Sequence, residues 1–328
     1  MLMYLVTGCA GFIGFHLVET LLANNQSVIG IDYISEQLPY SLKQARLNRL
    51  LTHPKFVFYK VDLCNKKQLY EILDNYKIEY IIHLAAQTGV RYSAINPSIY
   101  IKCNIDAHLI MLEYACKIKG TLKHFIYASS SSVYGNNYKI PFQEKDITME
   151  PTSVYAATKL AGEHLSYSFS SMYNLPITGL RFFTVYGEWG RPDMAFFSFT
   201  DKIYNGRPIE VFGNGSQKRD FTYIQDVIYA IIQVINLTPS EQVRYQLLNI
   251  GNNYPVSVNY LVELIEQNLK TKAIIEYQTQ ALGDVNITCA DITKAKALIG
   301  YAPKTSIEEG MQKFIDWYLN YKLERCLA

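Results

Sequence analysis

Along the first half of the chain, short apolar runs alternate with longer stretches in which apolar residues recur at helical spacing. The runs at 2–6, 27–31, 56–61, 80–84, 124–128 and 177–181 are rich in Val, Ile, Phe and Tyr and bounded by turns, which predicts strands. Between them, 12–24, 66–76, 99–118 and 154–173 carry the helical period. Strands separated by helices pair in parallel with helices on both faces, so the pattern predicts an α/β fold on a doubly wound parallel sheet. Past Arg181 the rhythm breaks into shorter elements: helices at 193–205, 226–236, 258–269, 293–298 and 307–321, and strands at 209–212 and 273–277. The second half is expected to form a smaller mixed α/β lobe.

Composition agrees with one large unit plus a smaller one: 328 residues, 49% hydrophobic and 18% charged, supply ample core and no signature of disorder. A formal net charge of +2 without basic clusters argues against a nucleic-acid partner. The opening Met-Leu-Met-Tyr-Leu-Val-Thr-Gly lacks the basic start of a signal peptide. No apolar stretch approaches the roughly 20 residues of a membrane helix. A cytoplasmic protein is therefore expected. Cys9, Cys64, Cys103, Cys116, Cys289 and Cys326 contain no Cys-x-x-Cys pair, so reduced thiols and no metal site are expected.

Against that background, Gly8, Gly11 and Gly14 follow the first strand and open the first helix as Gly-x-x-Gly-x-x-Gly. The first glycine permits the tight turn, the second lets backbone approach a pyrophosphate, and the third brings helix against strand; Phe12 and Ile13 lie in the same anion-facing turn. Asp32, 18 residues after Gly14, ends the next strand, where a carboxylate accepts from ribose hydroxyls. That carboxylate repels a 2′-phosphate, and no arginine occupies the next ten positions, so NAD is expected rather than NADP. Asp62, with Leu63, either accepts from the adenine amino group or caps the helix at 65–76. Leu84, Ala85 and Ala86 would let backbone lie close to the cofactor's second half.

Tyr155 and Lys159 are four residues apart at a helix start after Pro151, on one face. A phenol of ordinary pKa, about 10, is a poor base, but an ammonium and a positive nicotinamide favour its phenolate. Ser130 lies 25 residues earlier, in a run of serines beyond the fifth strand, at the edge where open parallel sheets place ligands.

Together these segments resemble the extended short-chain dehydrogenase/reductases, a Rossmann-like family that remodels nucleotide sugars. The resemblance implies a Ser130, Tyr155, Lys159 triad supported by Asn104, an NAD-binding unit at 1–180 with about 217–250 packing back onto it, and an interleaved UDP-sugar lobe at 181–328. Gly89-Val-Arg-Tyr-Ser, the Gly-Arg-Pro-Asp-Met-Ala run at 190–195 and Lys218-Arg-Asp-Phe-Thr-Tyr223 are similar to UDP-glucuronate 4-epimerases. Arg219 would grip the diphosphate, its alternative being an ion pair with Asp220 or Asp226. Ser131 and Ser132 stand where dehydratases carry Asp-Glu and decarboxylases Ser-Glu, and Thr184 replaces the asparagine of galactose-type epimerases. Oxidising carbon 4 of glucuronate makes a β-keto acid that loses carbon dioxide when its carboxylate stands perpendicular to the ketone. Arg191, with Thr184 and Ser131, is expected to hold that carboxylate; Arg91 is the competitor, and either arginine has a structural salt bridge as its alternative. Asp284, in an Ala-Leu-Gly-Asp run that lacks the family's proline, would contact the ribose. Inversion of carbon 4 of a UDP-hexuronic acid, UDP-glucuronate to UDP-galacturonate, is thus implied, in a homodimer formed through the helices at 99–118 and 154–173 and in the service of surface polysaccharides. The alternatives are another UDP-sugar, decarboxylation, or a silent NAD-binding scaffold.

Overall fold

The computed structural model describes residues 3–34, 42–146, 148, 150–237, 244–279 and 285–327. Its strands, in chain order, are β1 (Met3–Thr7), β2 (Ser27–Asp32), β3 (Phe56–Lys60), β4 (Tyr80–His83), β5 (His124–Ser130), β6 (Ile177–Phe182), β7 (Thr184–Tyr186), β8 (Ile209–Phe212), β9 (Lys218–Tyr223), β10 (Tyr245–Ile250), β11 (Pro255–Ser257) and β12 (Ile275–Gln278). Seven of them form one parallel sheet in the order β10-β6-β5-β4-β1-β2-β3. Alternation along each strand feeds two layers. Tyr4, Val6, Val28, Ile82 and Ile126 pack on one side with Phe15, Val18 and Ile231, while Leu5, Ile29, Ile81 and Phe125 pack on the other with Leu69, Met111 and Leu112. Burial on both faces is why these strands read as continuous apolar runs.

The sheet order reverses between β1 and β4, which are neighbours although two strands intervene in sequence. That reversal opens a crevice at the strands' carboxyl ends, the usual ligand position in such sheets. Thr7 pairs with both Ile31 and His83, so Gly8 and Leu84 leave the sheet side by side. Only Phe183 separates β6 from β7, and the chain then builds the small sheets β11-β9-β7 and β12-β8. β10, for which no strand was expected, returns to pair along β6.

Local chemistry explains the decisive helix. Ser153 caps Val154–Tyr173 by accepting from the Ala156 N–H at 3.1 Å, and Asn174 ends it in the left-handed conformation. The helical region expected at 99–118 is instead Pro97–Ile101, a π-turn at Lys102–Asp106, and Ala107–Lys117. Two further helices were not expected, Leu42–Leu51 and Val90–Ile95.

Four histidines are buried and neutral, each bonded to a neutral oxygen: His16 to Glu188 O, His83 to Thr7, His108 to Ser166 and His124 to Thr178. Burial pulls His16 and His124 down to about 4 and His108 to about 3, and lowers His83 well below its ordinary value. Each folded pKa lies below the unfolded one, so the unfolded chain binds more protons as pH falls below about 6.5 and stability drops. At pH 5 His16, His108 and His124 should each cost about 2 kcal/mol, together comparable to the whole stability of an ordinary domain, and His83 acts in the same direction. Acid unfolding is therefore expected near pH 5, and His108→Phe should move the midpoint lower. A circular-dichroism titration checks this, and equal stability at pH 7 and pH 5 would refute it.

Candidate active site

A cleft of about 1190 Å³ runs from the sheet reversal into the region beneath β8 and β9. Gly8, Gly11, Phe12, Ile13, Gly14, Asp32, Leu84, Ala85 and Ala86 line one end, and Ser130, Ser131, Ser132, Tyr155, Lys159, Thr184, Arg91, Arg191 and Arg219 line the remainder. The glycines have steric reasons. A Cβ on Gly8 would lie 2.7 Å from Ala85 N, and one on Gly14 2.1 Å from Gly8 O. Gly11 caps the helix Phe12–Ala23 without a side-chain bond, leaving its first turn open to an anion in the cleft.

Asp32 is buried and well occupied: it accepts from Ala10 N at 3.0 Å and Tyr33 N at 2.7 Å, and pairs with Lys43 at 2.6 Å. Lys43, eleven residues after Asp32, sets a positive charge beside that carboxylate and offsets part of its repulsion of a 2′-phosphate. The glycine turn, the helix terminus and the cleft-lining Asp32 carboxylate make a cradle that fits a dinucleotide such as NAD. Asp62 and Leu63 are not among the cleft-lining residues. Asp62 accepts from Cys64 N and pairs with Lys102, while Asn65, not Asp62, caps the next helix.

Asn104 shows how the floor is held. From the π-turn it accepts from Gln87 N at 2.7 Å and donates to Gln87 O and to Thr158 Oγ1, both at 3.0 Å. One amide thus ties the loop after β4 to the helix carrying Tyr155. Tyr100 reinforces it, donating to Thr88 O and Gly89 O while its ring meets Tyr155 edge-on at 6.2 Å.

Lys159 donates to Ala128 O at 3.0 Å, with its ammonium 6.0 Å from the centre of the Tyr155 ring. Burial draws Lys159 down to about 8, with Glu163 opposing. Burial also raises Tyr155, against the opposing pull of a hydrogen bond with Ser130 and the charge of Arg191. Both groups thus lean toward neutrality in the protein alone, and a cation bound beside them would favour the phenolate. Ser130 ends β5, and its hydroxyl also accepts from Ser132 N at 3.2 Å, starting the tight turn Ser131–Tyr134. The serine run is therefore the end of a strand and a tight turn.

Farther along the cleft, Arg191 makes a forked pair with Asp193 at 2.5 and 3.0 Å, the salt bridge that was its alternative, and lines the cleft together with Tyr155. Arg91 lays its guanidinium over the Phe212 ring at 3.9 Å. Arg219 donates to Lys218 O, while Asp220 and Asp226 accept from backbone N–H groups elsewhere. Asp284 lies outside the described residues. Sequence reasoning missed Lys43, Arg46, Gln87 and Phe212, all of which line the cleft.

Residues 5–314 match the sequence model of the family described as GDP-mannose 4,6 dehydratase. The chain belongs to this family of NAD-dependent nucleotide-sugar epimerases and dehydratases. Within the family it is 42% identical to a UDP-glucuronate 4-epimerase of Thermodesulfobacterium geofontis, over 96% of this chain and 95% of that one. It is also 42% identical to UDP-glucuronate 4-epimerase 1 of Arabidopsis thaliana, over 97% of this chain and 76% of the relative. Among solved structures, the UDP-glucuronic acid 4-epimerase of Bacillus cereus, in complex with UDP-glucuronic acid and NAD, superposes with a TM-score of 0.89 at 34% identity, covering 98% of this chain and 100% of that one.

Proposed function

We propose that this protein is an NAD-dependent UDP-glucuronate 4-epimerase that inverts carbon 4 to give UDP-galacturonate. The observation that carries this reading is the approach of Ser130 and Lys159 to Tyr155 at the floor of a dinucleotide-sized cleft whose sugar side presents Arg191, Thr184 and Ser131. Bound NAD supplies a reversible hydride acceptor at carbon 4. Tyr155 takes the 4-hydroxyl proton, Ser130 bridges the reacting oxygen and the phenol, and Lys159 holds the phenolate by charge. The resulting 4-keto sugar turns, and Tyr155 returns its proton as the opposite face is reduced. Arg191 with Thr184 and Ser131 keeps the carboxylate out of the orientation that expels carbon dioxide. Arg219 grips the diphosphate.

On this reading residues 1–180 with about 217–250 hold NAD and 181–328 hold the UDP-sugar, a division favoured by the pairing of β10 with β6. The protein works in the cytoplasm as a homodimer supplying polysaccharide synthesis. Exposed Ile101, Tyr167 and Met172 support a dimer face on its helices, and no helix among the described residues is long and apolar enough to cross a membrane.

Incubation with UDP-glucuronate and identification of the product by NMR tests the assignment. UDP-galacturonate is expected. A UDP-pentose with carbon dioxide would indicate a decarboxylase, conversion of UDP-glucose alone a neutral-sugar epimerase, and inactivity on every UDP-sugar a scaffold.

A further inference from the structure

Arg46 lies on helix Leu42–Leu51, 4% exposed, and spends its guanidinium on carbonyl oxygens rather than a carboxylate. Nη1 donates to Ala10 O at 3.2 Å, Nε to Trp189 O at 2.9 Å, and Nη2 to Gly190 O at 3.0 Å and to Trp189 O. Ala10 sits within the glycine turn, its own N–H held by Asp32. Trp189 and Gly190 immediately precede Arg191. One planar cation therefore joins the turn that faces the pyrophosphate to the root of the arginine that faces the sugar.

The joint is built to be rigid. Trp189 has a φ of +57°, a left-handed conformation that a bulky residue keeps only when its surroundings hold it. Here Phe15 and Trp317 pack their rings on the indole at 5.4 and 5.3 Å, and Arg46 binds its carbonyl twice. A guanidinium fork fixes several acceptors in one plane, which a lysine ammonium does not. Arg191 is the residue that gains, because it lines the same cleft as Tyr155 directly after the two residues that Arg46 holds.

We infer that Arg46 is a positioning residue that couples the dinucleotide-binding turn to recognition of the sugar carboxylate, by holding Ala10 and Trp189–Gly190 so that Arg191 keeps its place on the wall of the cleft that Tyr155 also lines. The inference rests on the functional reading above and adds to it a specificity determinant outside the sugar site.

The test uses the NAD-loaded protein, with Arg46→Lys and Arg46→Gln made singly and in combination with Arg191→Lys. The quantity measured is kcat/KM for UDP-glucuronate relative to UDP-glucose, beside retained NAD and a melting curve. Arg46→Lys is expected to lower the preference for the acid sugar by about tenfold while the protein stays folded, and to add nothing further once Arg191 is already lysine. Full additivity of the two substitutions would overturn the inference, as would a lowered melting temperature with the preference intact. Failure of both Arg46 variants to fold would also overturn it, by making the residue architectural. A wild type that prefers UDP-glucose sinks the functional reading itself, and is told apart because no variant is needed to see it.

Discussion

Tyr155→Phe is expected to lower turnover of UDP-glucuronate by about three orders of magnitude while bound NAD and the fold are retained. In the proposed mechanism the phenol hydroxyl moves the 4-hydroxyl proton, and the substitution removes that oxygen alone. Its ring keeps the edge-on contact with Tyr100, and the helix keeps the Ser153 cap, so little else should change. The pH profile gives a second reading. Burial raises Tyr155 in the protein alone, so activity should climb with pH as the phenol ionises. Single-turnover kinetics of wild type and variant, with NAD content measured in each, check the result. Retained turnover in the phenylalanine variant would remove Tyr155 from the mechanism.

Glu163→Met is expected to destabilise the protein by about 3–5 kcal/mol. Glu163 lies one helical turn after Lys159 and meets Arg181 of β6 in a buried fork, with contacts of 2.8 and 2.7 Å, and accepts from Ser129 at 2.5 Å. Both charges are nearly water-free, so removing one leaves a guanidinium beneath the Tyr134 ring without its anion. The pair also anchors the helix that carries Tyr155 to β6, the strand beside Ser130. The double substitution Glu163→Met with Arg181→Met should recover much of the loss, because it removes the stranded charge as well. Denaturant melts of the three proteins measure this, and a single variant as stable as wild type would show the pair to be dispensable.

Much of this was legible in the chain because periodicity reports burial. Strands buried on both faces read as unbroken apolar runs, and Val154–Tyr173 was readable to its ends because Ser153 and Asn174 punctuate it. Helix Leu42–Leu51 was not readable: its buried positions are Leu47, Leu50 and a charged residue, Arg46, so its apolar stripe is too thin to count. The π-turn at Lys102–Asp106 was hidden for a different reason, since it changes the direction of Asn104 without breaking the helical composition. At the site, the glycines and the Tyr155/Lys159 pair are local in sequence and could be found by spacing. Arg91 on Phe212 and Arg46 on Trp189 are contacts between distant elements, visible only once the chain has folded, and Lys43 reaches Asp32 from the helix whose thin apolar stripe hid it.

In the proposed cycle carbon 4 loses and regains the same hydrogen within one closed site. UDP-glucuronate carrying deuterium on carbon 4 tests it most directly. The expected product is UDP-galacturonate with the deuterium still on carbon 4 and none in the solvent. Deuterium washed out into water, or product inverted at a carbon other than 4, would contradict it.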